Sequence, residues 1–253
     1  MFRTCASFPQ RRDTQSMELE AGYNRNDVYD PNFALPLLVA LMASEEPVTS
    51  MQWVDLCRTN VISLAVSSLS SKRPTMRQLG YAALVTAYTR LPDVDFQERN
   101  QLIYTLDLLR NLIPQPDSTP SHTIPRLPTY TTLLFSHALR DIFSPATPLY
   151  PLISRFLLQR PQFDPKDVPL LYTLLYSSSG EWRRERGWML RFLADGMRST
   201  EDWKVLKRRH TWDLLASLFQ SSIEDRMLRL SILESYSTMN KLKRRHPGIG
   251  ETV

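Results

Sequence analysis

From residue 29 to residue 242, apolar residues recur at helical spacing, and no stretch of useful length alternates with period two. A chain patterned this way buries its apolar surface by packing helix on helix. Glycine, which weakens helix interiors, occurs 7 times, while proline occurs 18 times and marks the ends of segments. A chain of 253 residues has ample length for a core.

The punctuation divides the chain into about ten helices. Tyr29-Asp30-Pro31 opens the first: Asp30 can accept from free first-turn N–H groups, Pro31 suits the first helical position, and the helix runs to about Ala43. Further helices are expected at Met51–Arg58, Val61–Ser70, Pro74–Leu91 and Phe96–Ile113, the last with one stripe of Leu102, Leu106, Leu109 and Ile113. Five prolines in Pro114–Pro128 demand a surface loop. Pro128–Phe143, Leu149–Gln159, Asp167–Ser177, Glu181–Arg198, Glu201–Phe219 (broken near His210) and Glu224–Leu242 follow. The expected fold is all-α, an irregular armadillo- or HEAT-like solenoid of stacked helix pairs. Residues 1–28 are polar and aperiodic and read as a disordered leader, 29–242 as the helical-repeat domain, and 243–253 as a basic disordered tail.

Several function classes fall away. Cys5 and Cys57 lie in unlike segments and are expected to stay unpaired, as in a reducing compartment. No apolar run approaches the ~20 residues of a membrane helix, and Met1–Gln10 lacks an apolar signal core. Ser177-Ser178-Ser179-Gly180 lacks the lysine and spacing of a phosphate-binding loop and reads as a helix-ending turn with Gly180 near the cap. The histidines 122, 137, 210 and 246 are scattered, so no metal or cofactor is expected, and His137 reads as an interior residue. Asp164 and Asp167 suit capping better than acid–base work, with Pro169 entering the first turn after Asp167. No catalytic residue emerges.

Charge is more informative. Residues 1–180 carry 16 basic and 16 acidic side chains, and residues 181–253 carry 15 and 10, so the last third holds the whole net +5. In the helix expected at 181–198, Met189, Phe192, Leu193, Gly196 and Met197 form the apolar face. Arg184, Arg191 and Arg198 are seven apart, returning to within ~20° of one direction on the opposite side. Lys204, Lys207, Arg208, Arg209 and His210 form a second cluster, and Lys241, Lys243, Arg244, Arg245 and His246 a third that also fits a nuclear import signal. Such rows bind phosphate backbones or acidic partners; a solvated, ion-paired face is the competing reading. Trp182 and Trp188 read as anchors between helices, and Gly187 and Gly196 as points of close helix approach.

A resemblance runs through residues 29–235. Lys166-Asp167-Val168-Pro169, Tyr176-Ser177-Ser178-Ser179, Glu185-Arg186-Gly187-Trp188, Asp195-Gly196 and Arg208-Arg209-His210 carry it in the second half. Tyr29-Asp30-Pro31, Arg99-Asn100-Gln101-Leu102 and Leu108-Leu109-Arg110-Asn111 carry it earlier. The chain resembles the C-terminal domain of the nucleolar pre-ribosomal-associated protein 1 family, whose members are very long. The resemblance implies a non-catalytic α-solenoid scaffold of the nucleus and nucleolus. It further implies action on early precursors of the large ribosomal subunit, in maturation of large-subunit and 5.8S rRNA. Implied partners are assembly factors including a DEAD-box helicase, precursor rRNA and small nucleolar RNA, with no membrane. The competing expectation is a helical-repeat protein–protein adaptor that touches no RNA.

Overall fold

The computed structural model describes Cys5 and residues 29–44, 46, 48–113, 124–159, 164, 166–223 and 225–245. The expected leader 1–28 apart from Cys5, most of the expected 114–128 loop, and the tail beyond 245 lie outside the described residues. No strand occurs among the described residues, and the fold is all-α. The helices are α1 Pro31–Ala43, α2 Ser50–Arg58, α3 Val61–Ser68, α4 Pro74–Arg90, α5 Arg99–Asn111, α6 Thr129–Ile142, α7 Tyr150–Gln159, α8 Leu171–Leu175, α9 Trp182–Gly196, α10 Thr200–Arg208, α11 Thr211–Ser221 and α12 Arg226–Arg245. They fall into two compact units, residues 1–127 with 132–163, and residues 128–131 with 164–253.

In the first unit, α1 starts as its sequence dictates: the Asp30 carboxylate accepts from Asn32 N–H at 2.9 Å and Pro31 fills the first turn. α2 opens with a reciprocal cap, Thr49 N–H donating to Gln52 Oε1 at 2.8 Å and Gln52 N–H to Thr49 Oγ1 at 3.4 Å. Asn60 then takes a left-handed φ of 67°, a conformation its short polar side chain tolerates, and turns the chain into α3. α3 is the centre of the unit, buried from Ile62 through Ser68. Its hydroxyls are satisfied across the helix packing, Ser63 Oγ donating to Ser136 O at 3.3 Å and Ser67 Oγ lying 3.0 Å from Ser136 Oγ. α4 crosses α3 at Gly80, where an added Cβ would lie 2.8 Å from Ala65 O and overlap Ser68. His137 is interior as expected: burial, aided by the Arg140 charge, lowers its pKa to about 3.

Both cysteines are buried thiols outside any disulfide, and the Cys5 thiol hydrogen-bonds Asn60 O at 3.8 Å. Burial, with the nearby Glu98 charge adding to it, pushes the Cys57 thiol up to about 12, so it stays an unreactive thiol.

The second unit packs the first turn of α6 with α8 to α12. Tyr130 is its anchor, the hydroxyl donating to Leu193 O at 3.0 Å and the ring 5.7 Å from Phe192. Gly196 is required here, because a Cβ would overlap the Tyr130 ring. A second stack runs Trp203, Trp212, Tyr236, with centroids 5.2 Å apart at each step.

Three expectations for residues 167–180 need correction. The helix expected at Asp167–Ser177 contracts to Leu171–Leu175, because Pro169 has no N–H to give and Leu170 turns into the left-handed region at φ 62°. Asp167 therefore caps no such helix; its carboxylate accepts from the adjacent Val168 N–H at 2.7 Å. Since α8 is capped at Tyr176, Gly180 lies beyond it in a turn and is no cap.

Candidate nucleic-acid interface

The basic clusters lie in the second unit, where α9 and α10 sort their members into exposed and structural groups. The apolar side of α9 is as expected: Met189, Phe192, Leu193 and Gly196 are buried, as is Met197 just past the helix. On the other side Arg184 and Arg191 are exposed. Arg184 pairs with Glu181 at 3.0 Å one turn back, both side chains mostly in solvent, a pair that contributes little to stability. Arg183 is exposed too, 3.4 Å from Asp225.

Arg198 does not join them. α9 ends at Gly196, and Ser199 adopts extended backbone to cap α10, accepting from Asp202 N–H at 3.3 Å. Those two junctions leave Arg198 in the connection, half-buried, its Nε donating to Asp195 O at 2.7 Å. Its backbone N–H donates to Asp202 Oδ2 at 3.2 Å, and the same buried carboxylate accepts from Ser199 Oγ at 2.7 Å and Thr129 Oγ1 at 3.2 Å. Arg198 is thus part of a connecting network, and the seven-residue row ends at Arg191. Burial holds the neighbouring Asp195 above the usual carboxylate range, against the pull of Arg198 and Arg191.

The second cluster divides in the same way. Lys204, Lys207 and Arg208 are exposed on α10, at three- and four-residue steps that share a face. Arg209 is half-buried at the end of α10 and its Nε lies 2.6 Å from Asp167 Oδ1. Its carbonyl also accepts from Tyr172 Oη at 3.3 Å. Arg209 therefore ties α10 to the segment before α8. His210 breaks α10 from α11 at φ 49°, where a break is expected, and is exposed beside Asp213 at 3.4 Å. Of the third cluster, α12 includes the backbone through Arg245, and His246 lies outside the described residues.

The motif aromatics are also sorted. Trp188 stacks on Phe192 at 4.9 Å, while the Trp182 ring carries the guanidinium groups of Arg183 and Arg186 at 4.8 and 4.5 Å. Both tryptophans are half-buried. The expected close approach at Gly187 is not there, since nothing lies within 4 Å of an added Cβ. Sequence reasoning missed Ser199 and Asp202, whose Ser-x-x-Asp spacing is a helix-start signal. It also missed Arg183.

What remains are two exposed cationic faces, Arg183, Arg184 and Arg191 on α9, and Lys204, Lys207 and Arg208 on α10. Arginine forks and lysine points of this kind suit phosphate oxygens. Among the described residues no group of three His, Cys, Asp or Glu side chains is placed to hold a metal ion. No helix of the described residues is long and apolar enough to cross a membrane.

A sequence model of the nucleolar pre-ribosomal-associated protein 1 family matches residues 62–246, which include both faces and the network that separates them. The chain belongs to this family. Human nucleolar pre-ribosomal-associated protein 1 is 31% identical over 242 residues, 92% of this chain and 10% of the human protein. The mouse protein of the same name is 30% identical over 244 residues, with the same coverage of 92% and 10%. The chain spans about a tenth of the length of these curated relatives. No solved structure matches it. The family relationship places the chain in the nucleolus.

Proposed function

We propose that the chain is a non-catalytic helical scaffold in ribosome biogenesis and that its α9 and α10 faces contact precursor rRNA. The observation that carries this reading is the sorting just described. Within the region matched by the family, Arg184, Arg191, Lys204, Lys207 and Arg208 are exposed, while Arg198 and Arg209 are held by backbone and carboxylate. The relatives' names supply the setting, a nucleolar pre-ribosome. On this reading the scaffold is a stacked-helix solenoid acting on early large-subunit precursors, during maturation of large-subunit and 5.8S rRNA. Its partners are assembly factors, a DEAD-box helicase among them, with precursor rRNA or small nucleolar RNA on the cationic faces. Phosphate neutralisation there gives affinity without base-specific readout.

The second reading, a protein adaptor without RNA contact, is favoured by one separate observation, the uncharged outer faces of α1 and α4. Crosslinking the chain to RNA in cells and sequencing what is bound decides between them. Recovery of large-subunit precursor sequences, with crosslinked peptides from residues 183–208, is the expected outcome. No enrichment of any RNA above an unrelated nucleolar control overturns the RNA reading.

A further inference from the structure

The short helix α8 turns Leu171, Leu174 and Leu175 inward, all of them buried, while Tyr172 and Tyr176 are 49% and 54% exposed. Tyr176 N–H donates to Tyr172 O at 3.1 Å, so the two tyrosines stand one helical turn apart on one face. Among the described aromatic residues of the second unit, only these two are exposed.

Two hydrogen bonds place the pair between the cationic faces. Tyr172 Oη donates to Arg209 O at 3.3 Å, which holds its ring at the end of α10, beside the exposed Arg208. Just past Tyr176, Ser177 O accepts from Arg186 Nη2 at 3.2 Å, which ties this end of α8 to the N-terminal part of α9. The same Arg186 guanidinium lies over the Trp182 ring, as does that of the exposed Arg183. Aromatic rings flanked by cations on two sides suit one kind of polymer. An apolar protein surface gains nothing from the flanking charge, and an RNA duplex keeps its base faces stacked inside. A single strand offers phosphates to the cations and open base faces to the rings.

We propose that Tyr172 and Tyr176 form a base-stacking platform and that the RNA held at this interface is single-stranded. The inference rests on the RNA reading above and names the class of RNA. Bases stack on the two rings, and the strand runs on to Lys207 and Arg208 in one direction and to Arg183 in the other. Every base has a π-face, so the platform accepts any sequence.

The test uses the full chain and a fluorescent RNA of about ten nucleotides, single-stranded or annealed to its complement, with affinity read across a salt series. The wild type is expected to bind the single strand at least about tenfold more tightly than the duplex. Tyr172→Leu/Tyr176→Leu keeps apolar bulk and removes the rings. It is expected to lose roughly tenfold per ring while keeping the wild-type salt slope, because no phosphate contact is lost. Tyr172→Phe/Tyr176→Phe keeps the rings, drops the bond to Arg209 and is expected to keep the wild-type affinity. Ultraviolet crosslinking of the wild type needs no variant and is expected to leave nucleotide adducts on Tyr172 or Tyr176. A wild type that prefers the duplex, a leucine variant with wild-type affinity, a phenylalanine variant as weak as the leucine one, or a bound strand with adducts on neither tyrosine overturns the platform and leaves the RNA reading standing. A wild type that binds neither form overturns that reading as well.

Discussion

The two units treat charge in opposite ways. In the first, the outer helices α1 and α4 keep charge off their exposed sides, and two titratable groups, His137 and Asp141, are buried inside α6. In the second, α9 and α10 hold Arg183, Arg184, Arg191, Lys204, Lys207 and Arg208 outward, and the buried carboxylate Asp202 is committed to a connection between helices. Similar helices therefore offer unlike surfaces, one apolar and uncharged and the other cationic. Net charge alone cannot show this, because the division depends on which members of each cluster are consumed by helix ends.

The strongest way to break the comparison is to attack each core at its glycine. Gly80→Val in the first unit and Gly196→Val in the second are each expected to cost about 3 kcal/mol, since the added carbons meet backbone or a buried ring. Gly187→Ala is expected to stabilise by about 0.5–1 kcal/mol, because its surroundings are open and alanine suits a helix interior. Denaturant midpoints check all three, and equal effects at Gly187 and Gly196 would refute the packing described.

The next effect separates the units by pH. Burial raises Asp141 from 3.8 to about 6, opposed by Arg140 and a Thr147 hydrogen bond, and lowers His137 from 6.5 to about 3. Between about pH 4 and 6 the folded chain holds a proton on Asp141 that the unfolded chain has lost, so this group stabilises as pH falls. Over the same range the unfolded chain holds a proton on His137 that the folded chain lacks, so that group destabilises as pH falls. The two slopes oppose each other at about 1.4 kcal/mol per pH unit each. Asp141→Asn removes one of them. The variant is expected to lose about 2 kcal/mol relative to the wild type on going from pH 6 to pH 4. Parallel stability curves for the two proteins would show that Asp141 titrates normally.

Smaller effects sharpen the sorting of the basic residues. Asp202→Ala, which removes the carboxylate that accepts from the Ser199 and Thr129 hydroxyls and from Arg198 N–H, is expected to cost about 2 kcal/mol. Arg184→Gln is expected to change stability by less than about 0.5 kcal/mol. A larger cost at Arg184 than at Asp202 would invert the assignment of structural and exposed charged residues.

Much of the fold is legible in the sequence. Asp30-Pro31, the break near His210 and the buried face of α9 stand where local pattern puts them, because capping, chain reversal and helical period act over a few residues. Errors arise where two local signals compete. Met197 and Arg198 continue the α9 spacing, and the Ser199-Asp202 cap that stops it lies just downstream. The segment after Asp167 has helical composition, and Leu170 nonetheless takes a left-handed turn. Other features depend on distant packing. Gly187 and Gly196 are alike in sequence, and only the position of Tyr130 distinguishes them. Asp167 meets Arg209 across 42 residues, a pairing that no spacing rule announces. The uniform apolarity of α1 is plain in the sequence, but which side stays uncovered is settled by α3 and α4.

RNA affinity across a salt series tests the sorting of cations most directly, using the wild type and two variants. One variant removes the exposed set, Arg184→Gln/Arg191→Gln/Lys207→Gln/Arg208→Gln, and the other removes the held pair, Arg198→Gln/Arg209→Gln. With a single-stranded precursor rRNA fragment, the exposed-set variant is expected to bind at least about tenfold more weakly at low salt, and to lose about 2–3 units from the slope of log affinity against log salt. The held-pair variant is expected to keep the wild-type slope while melting at a lower temperature. Wild-type affinity and slope in the exposed-set variant, or a slope that falls only in the held-pair variant, would contradict the account.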